Sequence, residues 1–548
     1  MNHLISIRAN VVNIAARQIF PAEVQISHGK IADIQPTDAP CKYFLMPGFI
    51  DAHVHIESSM LVPAQFARLA TLHGTVATVS DPHEIANVTG VEGIRYMVRN
   101  GNSVPFKFCF GIPSCVPATA FETAGAAISP EQVRELFQTD KLKYLAEMMN
   151  WPGVLYGNED VAAKIKIAQE LGKPIDGHAP GLRGEQARQY AAAGMSTDHE
   201  CFTAAEALDK LAAGMKIIIR EGSAAKNFNA LAPLLHEHWQ QIMFCSDDKH
   251  PDSLLEGHIN QLAARAVALG VDVFKVLTVA CLNPIYHYGL DVGQLRIGDP
   301  ADCILVEDLT HFKVLQTWIN GELVAENGHS FIKAPVAEKQ NYFHAQPISA
   351  DSLQVRAASD TVRAIVALDG ELITQEEFVK ATIVNGFAIA DPGKDLLKIV
   401  VINRYKNAPP AVGFIRGFGL RQGAIASSVA HDSHNIVAVG TDDELLAKAV
   451  NAIIEAQGGI SACNNEETKL LSLPVAGLMS ADDAYYVAQA YQDIDTFAKQ
   501  LCAPVQAQPL QAPFMTLSFM ALLVIPSLKM SDLGLFDGNK FEFAQVFC

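Results

Sequence analysis

The sequence predicts an α/β protein: a (β/α)8 TIM-like barrel flanked by a small composite β-domain, plus a C-terminal α/β domain. Three observations predict this. The chain has 548 residues, more than one ordinary core holds. Its central stretch alternates short apolar runs with amphipathic, helix-like ones, the rhythm of repeated βα units. Eight of those apolar runs end in polar residues.

Residues 4–46 alternate apolar runs (VVNI, AEVQISHGKIADI, YFLMPG) with Gly and Asn/Asp turns, the pattern of short strands. The barrel is expected over 49–285. Its strands are FIDAHVHI, TVATVSD, FKFCFGIPS, KYLAEMM, PIDGHAP, MSTDHECF, MKIIIREGS and IMFCSDD, and stretches such as EDVAAKIKIAQELG supply the helices between them. In such a barrel the C-terminal strand ends converge on one mouth, so residues far apart in sequence become neighbours. After Asn283 and Pro284 the pattern is again β, and 1–48 with 286–335 are expected to form one composite β-domain. A polar linker follows at 335–350. Residues 350–548 form the last domain, with strands such as LKIVVINRY and HNIVAVG and a helix at DDELLAKAVNAIIEAQ.

Composition narrows the function. Apolar residues make up 49% and charged residues 18%, which is globular and not disordered. A formal charge of -18 disfavours nucleic acid and anionic membranes as partners. Ten cysteines without a CxxC pair imply reduced thiols and a cytoplasmic setting, not a disulfide framework. The N-terminus lacks an apolar leader-type run. The longest uncharged apolar stretch, 514–525, falls short of the roughly 20 residues of a membrane span and is expected in the core.

The chemistry concentrates at the strand ends. His53 and His55 are two apart on a strand, so both imidazoles point to one face and can reach one ion. Glu147, His178, His199 and Asp247 sit at later strand ends. Four imidazoles and two carboxylates suffice for two divalent cations if a carboxylate bridges them. Such cations lower the pKa of water towards 7. Asp247 is the candidate acid and base, carrying the proton from that water to a leaving nitrogen. A donor set without thiolate suits Zn2+, Mn2+ or Fe2+.

PGFIDAHVHIE, GHAPG, DHE, CSDD and GQLRIGDPADCILVED together resemble the amidohydrolase superfamily. The resemblance implies that His53, His55, His178, His199 and Asp247 bind metal, and that the glycines of 293–302 serve turns. Many two-metal members carry a carboxylated lysine at the end of strand four, where this chain has Glu147. That glutamate, with SDPHEIANVTG (80–90), REGSAAKN (220–227), SDDKHPD (246–252) and AHDSHNIVAVGTDD (430–443), resembles the adenine deaminase family within the superfamily, over essentially the whole chain.

The resemblance implies hydrolysis of adenine with water to hypoxanthine and ammonia, in purine salvage, with Mn2+ or Fe2+ favoured over Zn2+. A ring nitrogen beside the reacting carbon must then be protonated. Asp81, His83, Glu84, Glu221 and Ser223 lie on the rim, and Glu84 and Glu221 are the favoured partners of the purine edge. A cyclic amidase is disfavoured by the missing lysine, and a guanine or cytosine deaminase by its lack of a use for Glu147. A non-catalytic scaffold is disfavoured because every expected ligand is present. His73, His236, His238, His258 and His287 are expected to be structural. The HDSH run 431–434 leaves open a further metal site, a site-capping loop or a plain structural role. A homo-oligomer, a dimer first, is expected.

Overall fold

The computed structural model describes residues 4–502 and 509–548. Residues 1–3, at the head of the expected β-segment and leaderless start, and 503–508, inside the expected C-terminal domain, lie outside the described residues.

Strands from both flanks of the central stretch share one eight-stranded sheet. Ile5–Asn13, Gln18–Ser27, Lys30–Pro36 and Phe44–Pro47 come from before that stretch. Cys303–Val306, Val314–Ile319, Glu322–Glu326 and His329–Ser330 come from after it. The seam is the antiparallel pairing of Phe44–Pro47 with Cys303–Val306, with Leu45 opposite Leu305. The period of two decides which face is buried: Ile7, Ala9 and Val11 turn inward while Ser6 and Arg8 meet solvent. The β pattern expected from residue 286 begins later than the sequence suggests. Asn283–Tyr288 is a short helix with Pro284 in its first turn, and Gly289 ends it at φ 63°.

Eight parallel strands occupy the centre: β1 (Phe49–Val54), β2 (Thr75–Ser80), β3 (Lys107–Phe110), β4 (Leu145–Met148), β5 (Ile175–Gly177), β6 (Thr197–Asp198), β7 (Lys216–Arg220) and β8 (Ile242–Cys245). β1 to β3 pair in parallel, as do β4 with β5, and β6 through β8. A parallel bridge between Ile112 and Leu145 carries the pairing from the end of β3 to β4. Ser196 N–H, just before β6, donates to the Ile175 carbonyl of β5 at 2.8 Å. Val54 of β1 bridges Asp247, just past β8, so the last strand is bonded to the first. Every residue of β1, β2 and β8 is buried, as expected of parallel strands covered on both faces. Local chemistry starts the intervening helices: Ser129 and Gln132 form a reciprocal cap at Pro130–Thr139, and Asn158 and Thr203 cap Glu159–Glu170 and Ala204–Ala212.

Residues 331–349 carry no regular secondary structure. Beyond them a second eight-stranded sheet includes Leu397–Ile402 and Ile436–Gly440 at its centre. Its neighbours are antiparallel except Thr361–Ala367 with Ala411–Arg416. Helix Asp443–Ala456 buries Leu446, Ala449, Val450 and Ile453 against it. In the apolar stretch near the end, Pro513–Phe519 is a helix with every residue buried. Among the described residues no helix is long and apolar enough to cross a membrane.

Candidate metal and active centre

Parallel pairing puts the C-terminal ends of β1 to β8 on one side, and all six expected ligand residues meet there. His53 Nε2 and His55 Nε2 are 3.1 Å apart. The two oxygens of Glu147 face different partners. Oε1 lies 3.2 Å from His55 Nε2, while Oε2 lies 2.7 Å from His178 Nδ1 and 3.1 Å from His199 Nε2. Asp247 closes the ring: Oδ1 is 3.4 Å from His55 Nε2 and 3.9 Å from His53 Nε2, and Oδ2 is 4.0 Å from His199 Nε2. All six side chains are buried.

Donor atoms about 3 Å apart are what ligand lengths of about 2.0–2.2 Å from a shared cation produce. Two of the sets, His53 with His199 and Asp247, and Glu147 with His178 and His199, each converge within 4.8 Å. Among the described residues His53 Nδ1, His178 Nε2 and His199 Nδ1 are buried without any hydrogen-bond partner. The residues therefore fit a divalent metal centre.

Surrounding groups fix the donors. His55 Nδ1 lies 3.2 Å from the Asp81 carbonyl, which turns Nε2 inward. Asn227 donates to the His199 carbonyl at 2.9 Å. The Tyr190 hydroxyl accepts from His178 N–H at 3.0 Å and donates to the Met148 carbonyl at 2.7 Å, tying β4 to the chain after β5. Tyr190→Phe is expected to cost about 1–3 kcal/mol of stability, because two buried backbone groups lose their partner. Metal affinity should also fall by roughly 10–100-fold. Urea unfolding and metal titration check the two effects separately.

Burial alone would raise both carboxyls. For Glu147 the His178 and His199 imidazoles outweigh it and hold the group well below the carboxylate range. For Asp247 the outweighing charge is Arg220, helped by the imidazoles. Arg220 ends β7 and forms ion pairs with both Asp247 and Glu200, reaching Glu200 Oε2 at 3.1 Å. Asp247 is thus an ionised carboxylate between imidazoles and a guanidinium.

Of the two favoured rim residues, Glu84 is brought to the cavity and Glu221 is not. Glu221 directly follows Arg220, and alternation turns it to the other side, where it pairs with Arg265 at 2.7 Å. Ser223 is also turned away and accepts from His250 N–H at 2.9 Å. Glu84 Oε1 is 3.0 Å from His431 Nδ1 and accepts from Ser58 at 3.2 Å. Burial would lower the His431 imidazole, but Glu84 outweighs it and pushes it up to about 9. His83 lies between Asp81 (3.2 Å), Glu147 (3.4 Å) and Asp432 (3.5 Å). The HDSH run thus packs against the cavity, with His431 and Asp432 in its lining.

Arg220, Glu200 and Asp248 are further lining residues that motif spacing did not single out. Each adjoins a candidate (Glu221, His199, Asp247), and the alternation along β7 was the available signal for Arg220. His258 is tied to Asp51 at 2.8 Å and to Thr75 at 2.7 Å, outside the six-residue centre.

Comparison with known proteins adds sequence likeness to this geometry. The family model described as "Amidohydrolase family" matches residues 44–324, and the one described as "Adenine deaminase C-terminal domain" matches 371–542. The chain is 54% identical over 536 residues to an adenine deaminase of Sulfurovum sp., covering 98% of each. It is 54% identical over 543 residues to one of Salinibacter ruber, covering 99% of each, and 48% identical over 548 residues to one of Methanosarcina acetivorans, covering 98% of each.

Proposed function

The chain belongs to the adenine deaminase family of amidohydrolases, and from that premise we propose how its centre turns adenine and water into hypoxanthine and ammonia. The observation that carries the reading is Glu147, whose two oxygens face two different imidazole sets, as would suit a carboxylate shared by two cations. We take the parallel strands as a (β/α)8 barrel over 49–285, with 1–48 and 286–335 as a composite β-domain and 350–548 as the C-terminal domain.

His53, His55, Glu147, His178, His199 and Asp247 would hold two divalent cations, Mn2+ or Fe2+ before Zn2+. When bound, such cations supply a water acidified enough to act as nucleophile at neutral pH. The protein's own groups do the rest. Asp247, kept ionised by Arg220, takes a proton from the attacking water and delivers it to the departing amino nitrogen. Glu84, with His431 at 3.0 Å, faces the ring and holds the proton at the nitrogen beside C6. The buried lining excludes bulk water and strengthens each of these interactions. The net change is one C–N bond replaced by C–O, with ammonia released, as purine salvage requires.

The test is ammonia release from adenine, adenosine, guanine, cytosine and a cyclic amide, with enzyme loaded with Mn2+ or Fe2+. Activity on adenine is expected, with loss on chelation and recovery on adding back metal. Glu147→Gln should drop the bound metal below two per chain, read by elemental analysis, and take most of the activity with it. Two tightly held metals in that variant would remove Glu147 as the bridge. Turnover of the cyclic amide or guanine in place of adenine would favour another two-metal amidohydrolase.

A further inference from the structure

Lys529 is wholly buried in the strand Leu528–Ser531. Among the described residues its ammonium has no carboxylate partner. It donates to two carbonyl oxygens only, Leu372 at 2.6 Å and Phe519 at 2.9 Å. Burial pushes the group down to about 7. A buried cation with neutral acceptors alone is a costly choice, and an apolar residue of similar length would fill the space more cheaply. The two carbonyls come from segments almost 150 residues apart in sequence, and both residues line the same cavity as His55, Glu147, His178, His199 and Asp247.

Leu372, Phe519 and Leu522 supply the apolar part of the C-terminal lining. The donors lie at the strand ends of the central sheet, so these three face them from the C-terminal chain. Phe519 is held in turn by stacking on His431, with ring centres 5.3 Å apart. For deamination, C6 of the purine must lie at the donors. N9 is at the far end of the bicyclic ring, so whatever N9 carries points away from the donors and towards the C-terminal chain.

We propose that Leu372, Phe519 and Leu522 form a selective wall, positioned by Lys529, that restricts the site to purine bases carrying no substituent at N9. This inference rests on the adenine-hydrolysing reading above. Lys529 is not among the residues that line the cavity. It is a positioning residue that fixes the main chain at two points of the wall, so that the side chains cannot retreat to admit a larger ligand.

The experiment compares kcat/KM for adenine and 9-methyladenine in metal-loaded wild type, Leu522→Ala, Phe519→Ala and Lys529→Met. A methyl group in a tight apolar pocket is worth roughly 10–200-fold. Wild type should prefer adenine within or above that range, and each variant should reduce the preference by about tenfold or more, mainly through KM for 9-methyladenine. A thermal melt of each variant reads stability separately. A Lys529→Met protein that melts earlier but keeps the wild-type ratio assigns Lys529 to stability alone and overturns its positioning role. Should Lys529→Met not fold, Lys529→Gln, which keeps a donor for one carbonyl, tests the tether in its place. Equal kcat/KM for both compounds in wild type, or an unchanged ratio in folded Leu522→Ala and Phe519→Ala, overturns the wall. Failure of wild type to release ammonia from adenine would instead remove the underlying reading.

Discussion

Asp247→Asn is expected to leave the protein folded and to lower kcat for ammonia release from adenine by about a thousandfold or more. The backbone has no reason to object. Asp247 sits at φ 55°, a left-handed conformation that asparagine tolerates as well as aspartate does. The side chains also match in shape. The difference is chemical. An amide cannot carry a proton from water to a leaving nitrogen, and proton transfer of that kind contributes about 10²–10⁴ in rate. The amide also brings a donor into a ring where His53, His55, His199 and Arg220 all converge on carboxylate oxygens. Loss of a ligand charge and loss of the proton relay therefore reinforce each other. Rates with saturating metal, beside elemental analysis of the same sample, separate them. Full activity in a metal-loaded Asp247→Asn enzyme would exclude the residue from the proton path.

The centre was legible in sequence wherever periodicity alone fixes direction. His53 and His55 are two apart on one strand, and this spacing puts both rings on one face whatever the rest of the chain does. The other candidate ligands followed because each ends an apolar run, and parallel strands bring such ends together. The same rule, applied one residue too far, selected Glu221. Arg220 ends β7 and points to the centre, so its successor points away to Arg265. The part of the cavity lining that comes from the C-terminal chain was legible only as one option for the HDSH run, a site-capping loop. His431 meets Glu84 across nearly 350 positions of sequence, and Leu372 and Phe519 meet through Lys529. No local pattern encodes such pairings, because they depend on how separate sheets dock. The joining of Phe44–Pro47 to Cys303–Val306 is equally long-range, yet repeated β style on both flanks gave a hint of it.

Arg220→Met should produce the largest loss of stability at the centre, about 3–5 kcal/mol in metal-free protein. The guanidinium is buried between Glu200 and Asp247 and is the cation that offsets both. Methionine fills part of the volume but leaves two buried carboxylates facing each other with no positive partner except the imidazoles. Breaking one side of a buried charge network costs more than the network contributes, because the remaining charges stay desolvated. Two consequences distinguish this from ordinary loss of packing. Bound divalent metal takes over part of the charge on Asp247, so the destabilisation should shrink in metal-loaded enzyme. Glu200→Gln, harmful alone because it leaves Arg220 underpaired, should restore about 1 kcal/mol or more when combined with Arg220→Met, since residues within one network do not add. Urea unfolding of the four proteins, each with and without metal, measures both effects. Equal destabilisation under all conditions would mean that Arg220 acts through its volume and not through its charge, and the electrostatic account of Asp247 would fall with it.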